Sequence, residues 1–98
     1  MTILRTDGSS RNLAREETGE LAQLLGSAAL AAVGPRPLPG GVEYRVVLER
    51  ANGDQLAVLD IAGNWVRWRE GKLPAGTGAP GAGALAALRE ALRDALER

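Results

Sequence analysis

Few side chains in this protein are equipped for chemistry. It has no histidine and no cysteine, which removes Ser-His and Cys-His nucleophile pairs and His/Cys zinc sites. Acid–base work is left to carboxylates, lysine, tyrosine and hydroxyls. The densest cluster of useful types is "DIAGNWVRWREGK", Asp60 to Lys72, where both tryptophans of the chain stand three apart and alternate with Arg67 and Arg69. Aromatic rings among basic side chains can stack bases and hold phosphates. Trp and Arg also dominate the energetics of protein interfaces. A third use would be a small acid–base enzyme built on Asp60, Glu70 or Tyr44.

The other candidates are weaker. Asp7-Gly8-Ser9 has the composition of a common turn. Glu16 and Glu17 could ligate a divalent cation, but neighbouring helix residues point about 100° apart, and acidic residues suit the first helical turn for electrostatic reasons. "GTGAPGAG" (Gly76 to Gly83) is glycine-rich yet lacks the lysine and hydroxyl of a phosphate-binding loop and the strand–helix context of a dinucleotide fingerprint.

Which of these residues meet depends on the elements that carry them. Asn52-Gly53 separates two alternating apolar runs, the strongest local signal for a hairpin. A two-residue turn there places Ala51 opposite Asp54. It then sets Leu48 opposite Ala57, Val46 opposite Leu59 and Tyr44 opposite Ile61 on one face, with Val47 opposite Val58 and Arg45 opposite Asp60 on the other. A second two-residue turn at Gly63-Asn64 continues both faces. Ile61 meets Val66 and Leu59 meets Trp68 on the apolar side, while Asp60 meets Arg67, Val58 meets Arg69 and Ala62 meets Trp65 on the other. A slip of one residue would exchange the faces, so two turns that yield one consistent sheet support each other. Trp68 is then expected in the core and Trp65 on the opposite surface, beside Val47, Leu56, Val58 and the row Arg45–Asp60–Arg67.

Helices must cover the apolar side. Leu21, Leu24, Leu25 and Ala28 follow the i, i+3, i+4, i+7 spacing of one helical stripe within residues 16–33, and Leu85, Leu88, Leu92 and Leu96 do the same within 84–97. "GPRPLPGG" (Gly34 to Gly41) ends the first helix. "PAGTGAPGAG" (74–83) reads as a flexible connector. The N-terminal "TILRTDGSSRNLA" fits either a hairpin about Asp7-Gly8 or one strand and a loop, and its Ile3, Leu4 and Leu13 offer an internal cover for the Trp65 face.

The expected fold is therefore α+β. It has an antiparallel sheet of three to five strands, with a central meander at 42–49, 55–62 and 65–70, and two helices packed on one face. A chain of 98 residues makes one domain, 1–98, and at that size buries roughly 60–70% of its unfolded surface. Twelve basic residues balance twelve acidic ones, so no overall field attracts nucleic acid or anionic lipid. No run approaches the ~20 apolar residues of a membrane helix. "MTILRTDG" lacks a signal-peptide pattern, and the absence of cysteine fits the cytoplasm.

"LAQLL", "YRVVL" and "LAALREAL", spread over most of the chain, loosely resemble the corresponding pieces of emfourin-type inhibitors of thermolysin-like metalloproteases. "GNWVRW" departs from that pattern, and no inhibitory residue is carried over. The resemblance implies protease inhibition as an alternative role. The principal expectation is a non-catalytic binding or assembly module that uses no cofactor or metal. Trp65, Arg67, Arg69, Arg45, Asp60, Val47 and Val58 would form its contact surface for a protein partner or for a second copy in a homodimer.

Overall fold

The computed structural model describes residues 1–97. The chain runs β1 (Thr2–Arg5), β2 (Ser10–Asn12), α1 (Arg15–Ala31), β3 (Tyr44–Glu49), β4 (Gln55–Ala62), β5 (Trp65–Glu70), β6 (Gly76–Gly78) and α2 (Ala82–Glu97). The strands form one antiparallel sheet in the order β2-β1-β3-β4-β5-β6. The class is α+β as expected, but the sheet has six strands instead of three to five.

The central meander keeps its anticipated register. Tyr44, Val46 and Leu48 pair with Ile61, Leu59 and Ala57, and Asp60 stands between Arg45 and Arg67. At Gly63-Asn64 the tight turn is as expected, with positive φ at Gly63 alone, the pattern of a type II′ hairpin turn. The Asn52-Gly53 turn differs. Arg50 bonds Asp54 across it and the Gly53 amide donates to the Arg50 carbonyl, so the loop has three residues and Gly53 takes the left-handed position at φ 91°. Three-residue loops of this kind shift the pairing by one residue. A compensating irregularity follows at once: Glu49 pairs with Gln55 while Leu48 pairs with Ala57. Leu56 is the extra residue, and the bulge restores the faces that the apolar pattern requires.

The two added elements lie at the sheet's margins. The N-terminal segment resolves into a hairpin: Ile3 pairs with Arg11 and Val46, and the Asp7 carboxylate caps the Ser9 amide at 2.8 Å in the turn. It extends the sheet sideways and sends Ile3 and Leu13 into the core, so it does not fold over the Trp65 face. On the other edge, the 74–83 stretch is not wholly a structureless connector. Gly76–Gly78 pairs with β5, Thr77 also exchanges backbone bonds with Gly34, and α2 begins at Ala82. Only glycine fits here. A Cβ on Gly78 would lie 1.7 Å from the Ala31 carbonyl oxygen, and one on Gly76 2.1 Å from that of Ala32.

Both helices pack on one side of the sheet. Leu21, Leu25 and Ala28 of α1 and Leu85, Leu88, Leu92 and Ala95 of α2 enclose Ile3, Val46, Leu59, Ile61 and Val66. Helix α1 starts without a side-chain cap, because Ala14 has no oxygen to offer. Glu17 instead accepts the Ala14 amide at 3.0 Å and an ion pair from Arg11 at 2.9 Å, which gives this carboxylate a structural role in place of a cation site. The helix is kinked at Gly19 and stops at Ala31, two residues before the expected end. None of the described helices is long and apolar enough to cross a membrane.

Candidate functional site

The side of the sheet away from the helices carries the candidate site. Its centre is Asp60, on the middle strand, where alternation turns the side chain away from the apolar core. Although no helix lies over it, Asp60 is only 3% exposed, because the two arginines that flank it fold across the carboxylate. Arg45 Nε donates to Oδ1 at 2.7 Å and its Nη2 to Oδ2 at 3.3 Å. Arg67 donates to Oδ2 through Nη2 at 2.6 Å and Nε at 3.2 Å. Hydrogen bonding to Asp60, reinforced by its charge, raises Arg45 above its ordinary pKa.

This arrangement commits the Asp60 carboxylate to its two arginines. Both carboxylate oxygens are occupied by guanidinium donors, leaving Asp60 badly placed to take a proton from a substrate. Tyr44 is buried among core residues on the opposite face, and Glu70 accepts the Trp68 indole N–H at 3.0 Å. The three groups that could have formed an acid–base site are not brought together.

The flanking strands add walls to the Asp60 row. Arg45, Val47, Val58, Arg67 and Arg69 join Asp60 around a shallow concavity of about 400 Å³. Six of the seven expected surface residues therefore share one site. Trp65, the seventh, is half-buried opposite Ala62 and does not line it. Two lining residues, Gln55 and Ala75, escaped the sequence reasoning, and Leu4, expected only as one possible cover for this face, lines it from a neighbouring strand. Leu4 could be placed only once the N-terminal hairpin was known, since it pairs with Arg45. Gln55 faces the groove because of the bulge at Leu56. Nothing in the alternation of Ala75's neighbours marks it.

The guanidinium heads are fixed but not saturated. Arginine has five N–H donors, and Arg45 and Arg67 each direct two toward Asp60. Arg69 is exposed, and its side chain makes no hydrogen bond or ion pair among the described residues. Removing the arginine heads from Asp60 would strand a desolvated charge, so the pair is held in place by the cost of its alternative.

Two further surfaces came to light only in three dimensions. Near the end of α1, Val33 and Leu73 are 82% and 63% exposed and share a concavity of about 480 Å³ with Pro35 and the edge of Trp68. Trp68 packs against the core but is not enclosed by it. Its partner on β6 is Gly76, which offers no side chain to cover the ring. Beside the β4–β5 turn, Arg89 of α2 clamps Glu43 at 2.5 Å, and Glu43 also accepts the Gly63 amide at 2.8 Å. Arg89 reaches the Gly63 carbonyl as well. The Arg89 hydrogen bond, then the Gly63 amide, holds the Glu43 carboxyl below its ordinary pKa.

Comparison with known families, characterised proteins and solved structures yields no match. The likeness of "LAQLL", "YRVVL" and "LAALREAL" to emfourin-type inhibitors therefore assigns no family.

Proposed function

We propose that this protein is a non-catalytic binding module that engages another protein through the helix-free face of its sheet. The observation that carries this reading is the Asp60 carboxylate, buried on a face no helix covers and locked between two arginines whose side chains stay 46% and 34% exposed and keep donors that Asp60 does not use. Such a cluster spends desolvation energy to hold guanidiniums in fixed positions. Leu4 and the half-buried Val47 beside it, with Val58 beneath, supply apolar area, and Arg with apolar neighbours is the composition of energetically dominant interface patches. Trp65 belongs to the margin of this surface and not to its centre. The cytoplasm is the expected setting.

The test is a photo-reactive phenylalanine analogue placed at Gln55, which is exposed and lines the groove, with the exposed Ala87 of α2 as control. Irradiation in native cells is expected to give a discrete protein adduct from position 55 and none from 87. Equal adducts from both, or none from 55, would contradict the reading.

Self-association is a second reading, favoured by a different observation: Val33 and Leu73 stand exposed around one concavity. Light scattering of the wild type and of Val33→Asp would decide it. A dimer that the substitution dissociates supports this reading, whereas a monomer at high concentration rejects it.

A further inference from the structure

The groove around Asp60 also indicates what kind of partner segment would enter it. Its three guanidiniums, Arg45, Arg67 and Arg69, face a single carboxylate, leaving a local excess of two positive charges on a chain with no net charge. The one negative group is buried beneath two of the arginines, so an approaching ligand meets donors and no exposed acid at the centre. Leu4, Arg45, Asp60 and Arg67 form one cross-strand row, and Val47, Val58 and Arg69 form the next. Arg45 and Val47 are two residues apart on β3, and Asp60 and Val58 two apart on β4, so the charged row and the apolar row lie about 7 Å from one another, two strand residues. An extended peptide presents its i and i+2 side chains on one face at the same spacing. Gln55 at the rim can bond a peptide backbone.

We infer that the groove binds an extended acidic segment of a partner protein, with a Glu or Asp carboxylate on the Arg45 and Arg67 donors and, two residues away, an apolar side chain on Val47 and Val58, where Arg69 at the end of that row adds positive charge. This rests on the binding-module reading above and specifies its partner. Bidentate guanidinium–carboxylate geometry suits the planar, Asp60-oriented heads. Nucleic acid is a poorer occupant because no aromatic ring lines the groove to stack a base. A free phosphate would leave the apolar row unused.

The test uses the full chain and an acetylated, amidated octapeptide, Glu-Thr-Leu-Thr-Glu-Thr-Leu-Thr, with a counterpart carrying Gln for Glu and with inorganic phosphate as a further probe. Calorimetry gives the affinities, and backbone amide NMR shifts give the location. The acidic peptide is expected to shift the amides of Val47, Gln55, Arg67 and Arg69. It should bind about tenfold more tightly than the Gln peptide, the increment of a charge-assisted over a neutral hydrogen-bonded contact. Its affinity should fall as salt screens the exposed guanidiniums. Arg69→Ala, which removes an exposed side chain that makes no hydrogen bond or ion pair among the described residues, should weaken it about two- to fivefold. Equal affinities for the two peptides, or phosphate binding as tight as the acidic peptide, would overturn the acidic specificity. The Gln55 cross-link would still stand in that case. Shifts confined to another face, or no peptide binding alongside an absent Gln55 adduct, would overturn both readings.

Discussion

The two faces of this sheet hide their side chains by different means. On the helix side, Val46, Ile61 and Val66 are fully enclosed by leucines from α1 and α2. On the other side Val58, Asp60 and Ala62 are also buried, yet no helix lies over them. There the cover comes from the sheet itself, through long side chains on adjacent strands that lie down across the middle one. Apolar burial by a helix is non-directional and tolerant of chemistry. Cover by arginine works only where a carboxylate waits beneath it, because the guanidinium heads need an acceptor. One face is thus organised by volume and the other by charge, and substitutions should separate them.

The largest effect belongs to the helix side. Leu59→Ala should lose about 2–5 kcal/mol of stability, the range for a buried leucine, measured by chemical denaturation. A smaller loss, roughly 1–3 kcal/mol, is expected for Gly78→Ala, whose added methyl would strike the Ala31 carbonyl. Gly81→Ala and Gly83→Ala, with open space around them, should stay near the wild type, and equal losses at all three positions would refute the close approach of β6 to α1. On the charged face, Asp60→Asn leaves two arginines without their counter-charge. Their half-exposed heads can turn to water, so the cost should be about 1–2 kcal/mol, below that of a fully buried pair. No loss in a thermal melt would mean that the arginines are not anchored by the carboxylate.

The smallest effect is on the acid limb of stability. Glu43 has a lowered pKa in the folded state, so its contribution is complete above its ordinary value of 4.5 and disappears as pH falls through the depressed one. Melts at neutral pH and well below that value should show a steeper acid loss for the wild type than for Glu43→Gln. Parallel slopes would exclude the Arg89 clamp as a source of stability.

How far the sequence reaches follows the same division. Alternation about Asn52-Gly53 and Gly63-Asn64 placed Arg45, Asp60 and Arg67 in one row. The turn at Gly53 is one residue longer than expected, and the bulge at Leu56 cancels the error, since a face of Val46, Leu59 and Ile61 cannot be turned to water. Gly76–Gly78 gave no strand signal because glycine is depleted in strands and has no side chain to alternate. Its position is dictated by the backbone of α1, which alternation cannot register. The place of Leu4 in the sheet was undetermined for a similar reason: Asp7-Gly8 permits two conformations, and only pairing with β3 selects one. The tryptophans were assigned to the correct faces, but neither sits where bulk alone would put it. Trp68 lies at the core's margin opposite a glycine, and Trp65 beside the groove instead of within it.

The two indoles offer the most direct test, since each marks one face. Unfolding free energies of Trp65→Ser and Trp68→Ser should differ, with about 2 kcal/mol or more lost at Trp68, less than a fully enclosed ring would give, and under about 1 kcal/mol at Trp65. Equal losses would contradict the division of labour, because the surface assigned to recognition would then be holding the fold together as firmly as the core.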